Sequence, residues 1–246
     1  MPHFFVKSEN VKNGYALIND EDNYKHIAKS LRAKVGEKLL LIDENKIQYE
    51  TVIEQITNRE ITAKIETSYK SARNLDFRLY LAQSPLRSDA QSVIIEKATE
   101  LGAEAVYPIL TDNCSLNKSV IEKKIAKWQR IMYEASKQCE RADIPTCKSY
   151  TTLDKLLQEN SFDRVIAFCE RRTDLTLHSY CQNRPITKGE SVLVIIGPEG
   201  GFSDKEFEFF EKSKIPMLTL GNLILKAETA VIVALGNIIY EYTNQN

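Results

Sequence analysis

Residues 192–196 read Val-Leu-Val-Ile-Ile and run directly into Gly197-Pro198-Glu199-Gly200-Gly201-Phe202-Ser203. A continuous apolar run of this length suits a strand covered on both faces, and the proline and glycines that follow cannot extend it. Main chain is therefore laid bare where a buried strand ends. Glycine, lacking Cβ, admits positive φ and lets backbone N–H and C=O groups come within hydrogen-bonding distance of a small molecule. The same order recurs downstream. Met217-Leu218-Thr219-Leu220 is a short apolar strand, Gly221 interrupts it, and Asn222-Leu223-Ile224-Leu225 leads into a helix predicted over 226–242. Ligands of open α/β sheets lie beyond the carboxyl ends of the strands, so two such loops on neighbouring strands would converge on one pocket. Either loop taken alone also fits an ordinary turn.

The remaining chain limits what that pocket could serve. With 246 residues and 43% hydrophobic side chains, one or two domains with a substantial core are expected. No apolar run approaches the ~20 residues needed to span a bilayer. The opening Met1-Pro2-His3-Phe4-Phe5-Val6-Lys7 lacks a signal-peptide layout, so the expected location is cytoplasmic, with no membrane partner. Five cysteines, none in a C-x-x-C pair, argue against disulfides and structural zinc, and no metal is expected. A net charge of −1 excludes wholesale coating of nucleic acid, yet residues 118–148 carry eight basic side chains against four acidic ones. That segment fits a phosphate-binding surface or a solvated helix face.

Short strands are expected over 4–6, 14–19, 37–43, 47–53 and 60–66, which together suit a small barrel. Between the second and third, 24–32 has helical spacing with Tyr24, Ile27, Ala28 and Leu31 on one face and basic residues opposite. The polar stretch 68–74 has no apolar period and is read as a linker, giving domains of 1–70 and 71–246. Beyond it strands (77–82, 105–110, 164–168, 191–196, 217–220) alternate with helices (89–101, 120–138, 204–212), the pattern of an α/β domain with a mostly parallel sheet. Ser88-Asp89-Ala90-Gln91 and Ser203-Asp204-Lys205-Glu206 both fit the capping box that opens a helix.

Several chemistries are excluded. Neither G-x-x-x-x-G-K-[ST] nor G-x-G-x-x-G occurs, and Glu199 in the loop would repel phosphate. There is no H-E-x-x-H or G-x-S-x-G, and only His3, His26 and His178 could act as histidine bases. Glu199 and Glu228, each in or just after a glycine-bearing loop, instead suit a ligand with a positive centre, although Glu228 also complements a helix N-terminus. S-adenosylmethionine, a sulfonium carrying adenine, fits such a loop.

The residues so assembled resemble the bacterial small-subunit rRNA uridine-N3 methyltransferases, the RsmE family of the SPOUT superfamily. The resemblance runs nearly full length and rests on His26 with Leu31-Arg32, Glu96-Lys97-Ala98-Thr99-Glu100-Leu101-Gly102, Glu134-Ala135 with Gln138 and Arg141, Ile144-Pro145, the 197–201 loop, and Leu220-Gly221 with Ile224-Leu225 and Glu228-Thr229-Ala230. It implies an N-terminal PUA-like β-barrel that helps hold RNA. It also implies a C-terminal SPOUT α/β domain whose last strands and helix form a deep trefoil knot, a homodimer, and S-adenosylmethionine as cofactor. The substrate would be N3 of one uridine of 16S rRNA in the small ribosomal subunit. Carried onto this chain, the cofactor loops are Ile196, Gly197, Pro198, Gly200 and Gly201, then Leu220, Gly221 and Leu225, with Thr229 and Ala230 closing the pocket. Lys226 and Arg141 are candidates for stabilising a uracil anion, Glu199 and Glu228 for orienting groups or taking a proton. His26, Lys29, Arg32, Arg87, Lys137 and Arg141 are candidates for RNA contact. The chain departs from the usual family pattern at Leu223 and Lys226, where arginine is common, at Ala227, where threonine is, and at Arg87, where lysine is. Two other readings stay open: another RNA target such as a ribose 2′-hydroxyl, and a non-catalytic RNA-binding relative.

Overall fold

A computed structural model describes residues 1–71, 74–87, 89–170 and 172–245. The chain divides into two units, Met1–Asn74 with Ser136–Asp143, and Leu75–Ala135 with Ile144–Asn246. The returning segment 136–143 thus counts with the first unit, which a division into 1–70 and 71–246 had not anticipated.

In the first unit the expected small barrel takes the form of a six-stranded sheet. Its strands are β1 (His3–Phe5), β2 (Val11–Lys12), β3 (Tyr15–Ile18), β4 (Lys38–Ile42), β5 (Ile47–Ile56) and β6 (Ile61–Lys70), in the order β1-β4-β5-β6-β3-β2. β1 pairs parallel with β4 and every other pair is antiparallel. Alternate side chains turn inward, so Phe4, Ala16, Ile18, Leu39, Leu41, Ile53 and Ile61 form the core. Ile27 joins them from the helical segment, which starts at α1 (Glu21–Tyr24) and widens into a π-helical turn over Lys25–Ser30. Asp20 caps it by accepting the Asn23 N–H at 2.8 Å. One expectation fails here: residues 68–70 are not linker but the end of β6, where Ser68, Tyr69 and Lys70 pair with Tyr49, Gln48 and Ile47. Their polar side chains face solvent while the ladder satisfies the backbone, which no apolar period can reveal.

The second unit is a parallel sheet of six strands in the order β12-β10-β11-β7-β8-β9. In chain order its elements are β7 (Arg78–Gln83), α2 (Asp89–Glu100), β8 (Ala103–Pro108), α3 (Lys118–Gln138), β9 (Thr146–Cys147), α4 (Leu153–Glu159), β10 (Arg164–Phe168), α5 (Leu177–Asn183), β11 (Ser191–Ile196), α6 (Asp204–Lys212), β12 (Met217–Leu218) and α7 (Ala227–Gln245). Every residue of β11 is buried. Val192, Val194 and Ile196 meet a layer with Ile94, Trp128, Val231 and Leu235, while Leu193 and Ile195 meet another with Leu156 and Phe210. Two apolar layers on one strand are why its sequence shows no polar alternation. The short elements β2, β9, α4 and α5 escaped the sequence reading, and β12 stops at Leu218 rather than residue 220. Ser88, proposed to open α2, lies outside the described residues. Gln91 turns its amide oxygen to the Leu86 N–H at 2.8 Å.

A buried ion pair ties the starts of β10 and β11. Arg164, 2% exposed, donates from Nε to Glu190 at 2.7 Å, and from Nη1 and Nη2 to the carbonyls of Arg184 and Pro185 at 2.6 and 2.8 Å. Glu190→Ala would leave that guanidinium buried without its counter-charge, and a loss of about 3 kcal/mol is expected by urea denaturation. In the first unit, Asp143 accepts from Lys46 at 2.8 Å and from Arg141 at 2.8 Å. Burial pushes its carboxyl up, but the Lys46 hydrogen bond and the Arg141 guanidinium outweigh burial and hold it below the ordinary 3.8. Because the folded value is the lower one, the pair stabilises the fold above that ordinary value and its contribution disappears as pH falls through the folded value. The stability difference between wild type and Asp143→Asn should therefore be constant near neutrality and shrink on acidification, and a difference independent of pH would refute the assignment.

Candidate functional site

The first glycine loop leaves the carboxyl end of β11, where Ile196 pairs with Gln83 of β7 on one side and Phe168 of β10 on the other. Gly197 and Pro198 stay buried, and Glu199, Gly200 and Gly201 emerge. A Cβ on Gly197 would stand 3.3 Å from the Phe202 ring, so the ring packs directly on glycine main chain. The Gly201 N–H donates to the Pro198 carbonyl at 2.9 Å, closing a tight turn with Gly201 at φ +69°. No atom lies within 4 Å of where a Gly201 Cβ would be. Ser203 then opens α6 with the full capping box: its Oγ accepts the Glu206 N–H at 3.3 Å, and the Glu206 carboxylate accepts the Ser203 N–H at 2.8 Å.

The second loop follows β12, whose Leu218 pairs with Phe168. β11 and β12 are therefore not neighbours, as the sequence suggested, but flank β10. Their loops leave the same edge of the sheet about two strand spacings, ~10 Å, apart. The loop after β10 lies between them in the sheet order. Glu170 of that loop accepts the Leu225 N–H at 3.1 Å, and the Leu175 carbonyl accepts the Thr219 N–H at 2.9 Å. Thr219 Oγ1 accepts the Gly221 N–H at 3.1 Å and fixes the bend at Gly221, whose φ is +123° and whose absent Cβ again faces open space. Leu220 and Leu225 are half-buried, whereas Leu223 is 80% exposed.

The other candidate residues fall into two groups. Glu199 and Lys226 are exposed beside the two bends, Glu228 is half-buried in the first turn of α7, Thr229 is exposed, and Ala230 packs into the core with Val231 and Ala234. Arg141 belongs to the first unit, buried and held by Asp143, so it does not share a unit with the glycine loops. In that first unit His26 meets Phe4 edge-on at 5.3 Å, and Lys137 Nζ stands 5.8 Å from the same ring. Lys29 and Arg32 are exposed close by in sequence, and Arg87 is exposed in the second unit.

The sequence reading missed the residues that fasten the loops. Asn113 donates to the carbonyls of Gly200 and Gly201 at 3.2 and 3.1 Å, and Asp112 accepts from Ser203 Oγ at 2.7 Å. Only the polar Thr111-Asp112-Asn113 after a strand hinted at a loop, and nothing in the spacing linked it to residues 87 positions onward. Among the described residues no cluster of three or more His, Cys, Asp or Glu could hold a metal ion, and no helix is long and apolar enough to cross a membrane.

Comparison with known proteins finds two matching family models along the chain. Residues 73–239 match the model of an RNA methyltransferase domain, and residues 18–66 that of an RNA methyltransferase PUA domain. The chain is 27% identical to the ribosomal RNA small subunit methyltransferase E of Bacillus subtilis, covering 88% of this chain and 86% of that protein. It is 30% identical to the protein of the same description from Buchnera aphidicola subsp. Schizaphis graminum, covering 89% and 88%. A Legionella pneumophila protein assigned as a methyltransferase, solved with the bound cofactor SAM, superposes with a TM-score of 0.84 at 25% identity over 96% of each chain.

The left-handed bend at Gly201 gives a first check on the loop. Gly201→Ala should cost about 1 kcal/mol in urea denaturation, because a Cβ at φ +69° is strained even where there is room for it. An unchanged midpoint would mean that the bend is not held in this conformation.

Proposed function

The chain belongs to the ribosomal RNA small subunit methyltransferase E family, of SPOUT-type fold, and from that premise we propose that it transfers a methyl group from S-adenosylmethionine to N3 of one uridine of 16S rRNA. We place the cofactor at the two glycine bends of the second unit, with the PUA domain holding RNA and a homodimer as the working form in the cytoplasm. The observation that carries this reading is the pair of positive-φ glycines, Gly201 and Gly221, at the ends of strands that flank β10, each with open space where a side chain would stand. That is main chain arranged for close approach.

The residues present fit such a group. Main-chain atoms of Ile196, Gly197, Pro198, Gly200 and Gly201 would line one side, Leu220, Gly221 and Leu225 the other; 196–201 and 220–225 contain no cationic side chain, the nearest in sequence being Lys226. When bound, S-adenosylmethionine supplies an electrophilic methyl on its sulfonium. This chain's own residues must then receive a flipped-out uracil, relieve its N3 of a proton and hold the negative charge that spreads over the imide. Lys226, exposed at the start of α7, is our candidate for that charge, and Glu228 or Glu199 for taking or relaying the proton. We assign Lys29, Arg32 and Arg87, all exposed, to RNA contact together with His26, whereas Arg141 and Lys137, expected to join them, are buried, Arg141 against Asp143 and Lys137 over the Phe4 ring. Ile232 and Tyr240, 37% and 65% exposed on α7, offer apolar surface for a second copy.

Methylation at N3 removes a Watson–Crick donor, so reverse transcription of treated small-subunit rRNA should stop one nucleotide before the product. Nucleoside mass analysis of the same digest should give a base-methylated uridine. A ribose-methylated nucleoside would instead support another target, and failure of the protein to bind S-adenosylmethionine in calorimetry would support a non-catalytic relative. In the same calorimetry Gly201→Val should weaken cofactor binding by at least about tenfold, because its side chain would occupy the space left for close approach. Binding at the wild-type affinity would refute the placement.

A further inference from the structure

We propose that Asn113 is a positioning residue that sets the shape of the first glycine loop for its ligand; this rests on the reading of that loop as the cofactor site. Two adjacent glycines have more backbone freedom than any other pair, and a loop left free would lose that freedom on every binding event. The Asn113 side-chain amide removes it beforehand. Its Nδ2 donates to both consecutive carbonyls, Gly200 at 3.2 Å and Gly201 at 3.1 Å, which fixes two successive peptide planes from one side. C=O and N–H point opposite ways across a trans peptide. Turning the Gly200 carbonyl to Asn113 thus directs the Gly201 N–H to its turn partner, the Pro198 carbonyl at 2.9 Å. Turning the Gly201 carbonyl the same way directs the Phe202 N–H to the opposite side of the loop.

Asn113 is itself anchored to the sheet edge. Thr111 Oγ1 lies 2.6 Å from Ser84 Oγ in a buried contact, and the Ser84 N–H donates to the Ile196 carbonyl at 3.1 Å. The Cys114 N–H donates to the Thr111 carbonyl at 3.1 Å, so Asp112 and Asn113 occupy the middle of a turn. Asp112 reaches the far end of the same loop, accepting from Ser203 Oγ at 2.7 Å while its own N–H donates to Glu206 at 3.1 Å. The fit is close: a Cβ on Gly200 would stand 3.1 Å from the Asn113 Cβ. The turn after β8 therefore acts as a splint along the loop after β11, although β8 and β11 are separated by β7.

The test uses the full chain with Asn113→Ala, which removes the donor, and Asn113→Asp, which sets carboxylate oxygens against the two carbonyls. Calorimetry with S-adenosylmethionine should show Kd raised about tenfold in Asn113→Ala, the loss of two hydrogen bonds, and further in Asn113→Asp. KM for the cofactor should rise alike, with kcat at saturating cofactor within about twofold. The melting temperature should fall by no more than a few degrees, while amide exchange at Gly201 in the ligand-free protein should accelerate in both variants. Wild-type Kd and wild-type exchange in Asn113→Ala would overturn the proposal. If the wild-type chain itself failed to bind S-adenosylmethionine, the cofactor reading would fall. The exchange arm would still decide whether Asn113 shapes the loop, faster exchange supporting it and equal exchange refuting it.

Discussion

Burial of β11 on both faces is the constraint on which the second unit is built. A strand packed against apolar layers above and below must be central and near-continuously apolar, as Val192 to Ile196 are. Its hydrogen bonds then tie β10 and β7 into the same sheet, with Phe168, Ile196 and Gln83 in register at the carboxyl edge. That edge is where the apolar run ends in glycine, so a fully buried strand runs directly into a segment with wide backbone freedom. Rigidity below and freedom above are joined at Ile196 and Gly197, both buried.

Freedom at the edge is then removed by polar contacts from neighbouring loops rather than by packing. Asn113 and Asp112 come from beyond β8 and hold the first glycine loop, while Glu170 from the loop after β10 holds Leu225 in the second. This division of labour has a physical reason. Side chains at Gly201 and Gly221 would fill the space now open beside the two bends, whereas hydrogen bonds to main chain fix the peptide planes and leave it open. Thr219 works in the same way on Gly221, using one hydroxyl within its own loop.

The parts legible in the sequence were those with a long-range period or an uninterrupted apolar run. β11, α6 and α7 fall close to their expected bounds because their burial is written along the chain. The two-residue strands β2 and β9 contain less than one full alternation and gave no signal. In α4 only Leu153 and Leu156 are fully buried, too few to stand out from a loop, and the polar end of β6 hid a ladder that depends on backbone alone. Periodicity also says nothing about which strands are neighbours. The glycine loops were read as adjacent because they are consecutive in sequence, and the intervening β10 became visible only in the pairing of Phe168 with both Ile196 and Leu218. Asn113 was beyond reach for the same reason, since its role depends on where another loop lies.

The departures from the family pattern acquire separate meanings once placed. Ala227 is 7% exposed among Val231 and Ala230, where a hydroxyl would need a partner and a methyl needs none, so it is a packing choice. Leu223 is 80% exposed and Lys226 is also at the surface, so neither change disturbs the fold. Their effect falls on charge. A guanidinium presents a planar fork that grips two oxygens at once, while an ammonium is a compact, strongly hydrated point charge that carries no such directional demand. With Leu223 contributing none, the positive charge at the second bend rests on Lys226. On the proposed reading, a single flexible ammonium would follow a delocalised uracil anion between its oxygens, and the orientation that a second cation would have imposed would come from the fixed main chain of the two loops.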